Sequence, residues 1–285
     1  MHSRPMKRSP MKRFFKAIFI IVLSIAIAFA GLIAFISLTE YKPDKVERIR
    51  IYGNSSKGVK KGDSIKMMSW NIGYGALGDN ADFFMDGGNH VLTSSKNRVK
   101  KNIKSISGEI RKQSPDITMI QEVDKDSRRS YYINQVEKLG KAMDGSEYSY
   151  ARNYKAAFVP YPIPPLGKMD SGIMTISRLK ANSAKRVSLP VSFTWPVRTV
   201  NLKRCLLISR TKVKGTGKEL VYINLHLEAY DKGAGKKAQT RALNRILKQE
   251  AAKGNYVIAA GDFNQTFNNV DTNEYKVQKG LWKPG

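Results

Sequence analysis

Between Ala17 and Leu38 the chain runs 22 residues without a charge. As a helix rising 1.5 Å per residue that run is about 33 Å long, enough to cross the hydrocarbon core of a bilayer. Arg4, Lys7, Arg8, Lys12, Arg13 and Lys16 precede it, with no acid among the first 16 residues. Cations before the span and mixed charge after it make residues 1–16 a basic cytoplasmic tail and residues 17–38 a transmembrane anchor. The remainder then lies outside, and the protein is a single-pass protein of the cell membrane. A cleaved signal peptide is the rival, because Ala28-Phe29-Ala30 resembles a processing site. The apolar run continues eight residues past that site, which favours an uncleaved anchor.

Beyond the span the sequence is strongly basic. The formal net charge is +27, and removing the six N-terminal cations leaves 44 basic and 23 acidic side chains over 40–285, or +21. Such a surface attracts polyanions: anionic lipid, wall polymer or nucleic acid. A soluble lysine-rich surface reads equally well from the same numbers. Cys205 is the single cysteine, so there is no intrachain disulfide partner and the core stands unaided. Residues 39–63, charged and punctuated by Gly53-Asn54-Ser55-Ser56, read as a linker between anchor and domain.

From residue 64 onward, strand-like and helix-like patterns alternate, which predicts one α/β domain over 64–285. Ser64 to Asn71 reads as a strand, and residues 76–93 as a polar loop. Ser94 to Gln113 follows as a helix with Val99, Ile103, Ile106 and Ile110 on one face. Ile117 to Glu122 is a buried strand, and a helix is expected near 130–143. Residues 147–159 suggest two short strands, 160–167 a proline-rich surface loop, and 171–178, 204–213 and 219–227 further strands. A helix over 235–253 leads into the strand Tyr256 to Asp262.

Four of these strands finish in polar groups: Asn71, Glu122, His226, and the pair Asp262/Asn264 just after Gly261. Residues i and i+2 of an extended chain point the same way, so Asp262 and Asn264 present a carboxylate and an amide together. Taken singly, such a pair is an ordinary turn. The available donors are oxygens with one histidine nearby, a set that suits a hard cation, Mg²⁺ or Mn²⁺, and disfavours zinc. A lone histidine there can hydrogen-bond a phosphate or handle a proton near neutral pH.

These runs resemble the motifs of the endonuclease/exonuclease/phosphatase family. The matching stretches are Ser69-Trp70-Asn71-Ile72, Gln121-Glu122-Val123, Ser171-Gly172-Ile173 with Ser177-Arg178, Asn224-Leu225-His226-Leu227 and Gly261-Asp262-Phe263-Asn264, in the family's order over about 200 residues. Any one of these is weak; five in order are specific. The resemblance implies a four-layer α/β sandwich, two packed mixed β-sheets flanked by helices, and Mg²⁺-dependent phosphoester hydrolysis. It implies Glu122 as the principal metal ligand, with Asn71 placing metal and phosphate. Asp262 would orient or deprotonate the attacking water, Asn264 would hold a phosphate oxygen, and His226 would stabilise charge developing on the phosphoryl oxygens. Asp170 and Arg178, beside the central motif, would stand behind these groups, and Tyr230 and Asp231 would border the cleft.

The sequence departs from the family pattern at its end. The family closes with a Ser-Asp-His-type motif, whereas the three histidines here are His2, His90 and His226, and no acid follows Glu274. Two expectations follow: a longer native chain supplies the motif, or the chain is an impaired relative that binds metal and phosphate or polyanions without turnover. The first is favoured, because every other site residue is present. Nucleic acid, a phospholipid or sphingolipid head group, and a small ester all remain as substrate classes. Tyr161 in the proline loop and the stretch Phe193-Thr194-Trp195-Pro196-Val197-Arg198 read either as substrate-facing or as packing.

Overall fold

The two most apolar runs of the domain become central strands of two different sheets, and every other element arranges itself around them. The computed structural model describes residues 10–79, 82–231, 233–266 and 269. The expectations for the extreme N-terminus, including His2, and for the closing motif and Glu274 lie outside the described residues.

One sheet runs in the order β2 (Ile51–Gly53), β6 (Glu147–Val159), β7 (Gly167–Ser177), β5 (Ile117–Asp124), β4 (Met67–Asn71). The other runs β1 (Val46–Arg48), β8 (Ser183–Ser188), β9 (Cys205–Lys214), β10 (Lys218–His226), β11 (Tyr256–Asp262), with β3 (Val59–Lys60) beside the end of β9. Both sheets are mixed: β4–β5, β10–β11 and β3–β9 pair in parallel and the rest antiparallel. Helices α2 (Lys96–Gln113) and α3 (Gln135–Lys141) lie against the first sheet, where Val99, Ile103, Ile110 and Leu139 pack on Ile120 and Met174. Helix α4 (Ala234–Ala252) covers the second through Leu243 and Ile246, against Leu206, Ile208, Val221 and Ile223. Between the sheets, Ile117 and Met119 meet Val213, Leu220 and Tyr222, while Ala151 and Ile173 meet Cys205 and Leu207. The four-layer sandwich expected from the sequence is the architecture found.

Asn224 ties the two layers together. Fully buried, it donates through Nδ2 to the carbonyls of Ile120 (3.2 Å) and Met174 (2.9 Å), and its Oδ1 accepts from Gln121 Nε2 at 2.7 Å. A buried amide is stable only when its donors and acceptors are met, and the facing sheet meets them.

Helix α1 (Pro10–Leu38) contains the apolar run, and its side chains from 11 to 31 are exposed. Among the described residues it is the single helix long and apolar enough to cross a membrane.

Three expectations need correction. Residues 39–63 are no free linker: β1 pairs with β8, β2 with β6 and β3 with β9, and Val59 is buried. These strands are two or three residues long, too short to show a period of two. The expected strand pair at 147–159 is one strand of 13 residues, whose register shifts at Arg152/Tyr154 and Ala156/Val159 break the alternation that a continuous strand would show. The helix expected near 130–143 is a 3-10 turn, Arg128–Ser130, followed by α3 alone, started by Asn134 Oδ1 accepting from Glu137 N at 3.1 Å.

Candidate active site

Two of the three parallel pairs are each joined through a helix, β4–α2–β5 and β10–α4–β11, so their carboxyl ends fall at one edge of the sandwich. Ligands of α/β sheets gather outside the carboxyl ends of parallel strands, and the four polar strand ends of the sequence meet there. Asn71 is the last residue of β4, and His226 and Asp262 are Cα partners at the ends of β10 and β11. Glu122 sits where the β5–β7 register shifts between Ile120 and Val123, with φ of +56°. A side chain held in this left-handed region inside a bulge is re-aimed out of the strand's alternation. Together these residues line a cleft with a volume of about 310 Å³.

Asn71 is the hub. Its Nδ2 donates to Glu122 Oε1 at 3.0 Å and to Asp262 Oδ2 at 2.8 Å, while its Oδ1 accepts from Gly73 N at 3.0 Å. Asp262 is held from a second side, because its Oδ1 accepts from Asn264 N at 2.9 Å. Asn264 in turn donates through Nδ2 to the Leu227 carbonyl at 2.8 Å, which fixes the amide at the cleft edge. His226 Nε2 lies 3.8 Å from Asp262 Oδ2. Gly261 makes this convergence possible: its φ is +148°, and a Cβ there would lie 2.0 Å from the Leu225 carbonyl oxygen.

Burial governs the charges. Glu122 has its carboxyl raised above the ordinary range by desolvation, with Arg129, the Asn71 hydrogen bond and Arg204 pulling the other way. His226 is pushed well below the usual histidine value by burial, and Arg204 and Arg129 push it further, so its imidazole is neutral at pH 7. Arg129 is committed: it forks onto Asp124 (2.9 and 3.1 Å) and stacks over Tyr74, 3.7 Å from the ring centroid. Arg204 is not. Its side chain is 3% exposed, Nε and Nη1 have no hydrogen-bond partner, and the nearest carboxylate oxygen, Glu228 Oε2, stands at 3.8 Å.

The sequence pattern missed Arg204 and Arg129. Arg204 was visible only as a cation opening the strand read over 204–213; Arg129 follows Glu122 by seven residues, just before the segment read as helix. The apolar wall of the cleft, with Phe83, Met85, Tyr154, Leu166 and Leu202, was missed too, since residues 76–93 read as a polar loop. Tyr230 lines the cleft as expected and donates to Asp86 Oδ1 at 3.0 Å. Asp231 instead accepts from the backbone at the start of α4, including Lys236 N at 3.3 Å. Asp170 does not line the cleft: its carboxylate makes a bidentate pair with Arg152, at 2.7 and 2.9 Å. Arg178 does not belong to it: Ser177 pairs with Ile117, so Arg178 lies at the opposite end of β5 from Glu122. His90 is paired with Asp82 in a loop, at 2.7 Å.

The donor set fits a hard divalent cation. Glu122 is a partly buried carboxylate with no ion pair among the described residues, and the Asn71 amide joins it to a second carboxylate, Asp262. No three His, Cys, Asp or Glu side chains cluster to hold a metal unaided among the described residues. Mg²⁺ needs only one or two carboxylates, with water and substrate phosphate completing its shell.

The model of the endonuclease/exonuclease/phosphatase family matches residues 68–282, most of the chain. The chain belongs to that family. Its members are generally phosphoester hydrolases that use a divalent metal. Among solved structures, a family member from Beutenbergia cavernae is 22% identical with a TM-score of 0.50, over 73% of this chain and 49% of its own length. A mannosyl-6-phosphatase from Bacteroides thetaiotaomicron is 16% identical with a TM-score of 0.48, covering 72% of this chain and 67% of that one. The human Nocturnin catalytic domain is 18% identical with a TM-score of 0.44, covering 79% and 68%. At these identities the likeness is one of fold, and the chain spans about half the length of the Beutenbergia protein. No curated protein matches it.

Proposed function

We propose that this family member is a membrane-anchored phosphoester hydrolase, Mg²⁺-dependent (or Mn²⁺-dependent), with its domain on the extracytoplasmic side. The observation that carries the reading is the junction at Asn71, where one amide bonds both Glu122 and Asp262. Glu122 and Asn71 would hold the metal, which when bound would neutralise phosphate charge and polarise the phosphoryl oxygens. Asp262, fixed by two hydrogen bonds, takes the proton of the attacking water as its oxygen bonds to phosphorus and the ester P–O bond opens, the leaving oxygen taking a proton from solvent water. His226, neutral in the free protein, and Asn264 stabilise the phosphoryl oxygens, and Arg204 supplies the unspent positive charge for them. Positioning and charge stabilisation are most of what phosphoryl transfer requires.

The test is Asp262→Asn, which keeps shape and removes the base. The expected result is a loss of at least a thousandfold in Mg²⁺-dependent hydrolysis of phosphodiesters, restored to no extent by added metal, with thermal unfolding unchanged. Hydrolysis at the parent rate would overturn the assignment. A parent chain that binds Mg²⁺ yet cleaves no phosphoester would instead establish the impaired relative.

A further inference from the structure

The exit of α1 is clamped to the domain, and the clamp is one rim of the cleft. Ile36, in the last turn of the helix, is 5% exposed. Trp195 Nε1 donates to Ser37 Oγ at 3.1 Å. Two residues beyond the helix, Glu40 Oε1 takes Lys203 Nζ at 3.1 Å and Arg198 Nε at 3.4 Å, and Lys203 also donates to the Arg198 carbonyl. The loop 190–203 therefore sits at the level where the apolar span ends.

That loop is apolar where it faces outward. Val191, Trp195 and Val197 are 44%, 57% and 52% exposed, beside the basic Arg198 and Lys42. Exposed tryptophan and aliphatic side chains with cations around them, level with the end of a membrane span, are the chemistry of the lipid interface. The same loop continues inward: Val200 and Leu202 pack against the buried cluster that holds Tyr154 and Leu166, and Leu202 and Arg204 line the cleft. The phosphate side of the site is thus tied, through Lys203 and Glu40, to the bilayer surface.

We infer that Val191, Trp195 and Val197 dock into the head-group boundary of the bilayer that holds α1, so that the cleft takes its phosphoester from a membrane lipid head group. This rests on the reading of α1 as an uncleaved span. The occupant is lipid, because the hydrogen bond to Ser37 fixes Trp195 beside the helix and leaves its ring uncovered by protein.

The full chain, reconstituted in vesicles of phosphatidylcholine and phosphatidylglycerol, tests this in two ways. First, bimane is attached at Val197→Cys, at Lys214→Cys and at Leu23→Cys. Cys205 stays unlabelled, being buried with its thiol pushed up to about 11. Lys214 ends β9 at the far side of the sheet from Arg204, and Leu23 lies mid-span. Nitroxide lipids should quench positions 23 and 197 at least threefold more than 214. Quenching at 23 with 197 no higher than 214 overturns the docking while leaving the anchor standing; no quenching at 23 overturns the anchor and the inference with it. Second, Val197→Asp should cut hydrolysis of vesicle phospholipid at least tenfold and leave bis(p-nitrophenyl) phosphate hydrolysis unchanged. Equal effects on both substrates, no effect on either, or a parent chain that cleaves the soluble diester but not the lipid would overturn the lipid assignment.

Discussion

Arg204 offers the sharpest separation between a structural and a functional side chain. Its side chain is 3% exposed, with Nε and Nη1 lacking a hydrogen-bond partner and Glu228 Oε2 3.8 Å away. A buried charge so poorly compensated costs the fold several kcal/mol of desolvation. Arg204→Met keeps most of the stem and removes that cost, while Glu228 keeps hydrogen bonds from Ala229 N (3.1 Å) and Tyr230 N (3.4 Å). The two effects oppose each other, so stability should change by no more than about 1.5 kcal/mol, a few degrees in melting temperature. Phosphate binding has no such offset. A hydrogen bond from a charged donor is worth about 1.5–3 kcal/mol, so competitive inhibition by inorganic phosphate should weaken about 10- to 150-fold. The assay is the phosphate inhibition constant beside thermal unfolding, with Arg204→Lys expected to recover part of the loss by restoring charge. An inhibition constant within twofold of the parent, accompanied by a large fall in melting temperature, would show that Arg204 is a structural residue and refute the reasoning.

Two further outcomes follow from groups outside the cleft. Asn224→Leu removes the bridge between the sheets and takes a hydrogen-bond partner from the carbonyls of Ile120 and Met174 and from the Gln121 amide, which keeps its bond to the Met119 carbonyl; chemical denaturation should show a loss of about 3–5 kcal/mol. Burial alone would raise the Glu250 carboxyl, but hydrogen bonds from Arg210, Asn255 and Lys253 outweigh it and hold the group at about 2 against an ordinary 4.5. Its contribution is therefore present above pH 4.5 and disappears as the pH falls towards 2. Allowing for solvent screening, Glu250→Gln should cost about 1–2 kcal/mol at pH 7, and denaturation curves of parent and variant should converge between those limits.

The architecture was legible because its longest elements carry clean periods: α2 places Val99, Ile103, Ile106 and Ile110 on one face, and β5, β10 and β11 are short apolar runs. The site was legible where a polar group ends such a run, as at Asn71, His226 and Asp262. It was illegible where position depends on partners far away in sequence. Arg204 belongs to the cleft because β9 lies beside β10, and Arg178 falls outside it because β7 runs antiparallel to β5. Neither register can be read locally. The edge strands β1 to β3 failed for another reason: at two or three residues each, their pairing is fixed entirely by the sheets they join.

The electrostatics of the cleft argue that its two ligands belong together. Arg129 is answered by Asp124, and burial makes His226 neutral. Two groups remain only loosely compensated, a partly buried carboxylate at Glu122 and a buried guanidinium at Arg204 whose ion pair with Glu228 is 3.8 Å long, each lowering the other's cost only at a distance. A cation alone would satisfy Glu122 and add to the positive charge already held by Arg204. A phosphate alone would satisfy Arg204 and face the carboxylates of Glu122 and Asp262. A metal-bound phosphoester meets both at once. On the proposed reading each ligand therefore strengthens the other, and by linkage the strengthening is equal in both directions. An extended polyanion could supply the phosphate but would have to enter a cleft walled by Phe83, Met85, Leu166 and Leu202. That wall suits a phosphoester presented singly, with an apolar neighbour, as the docking inferred above would present it.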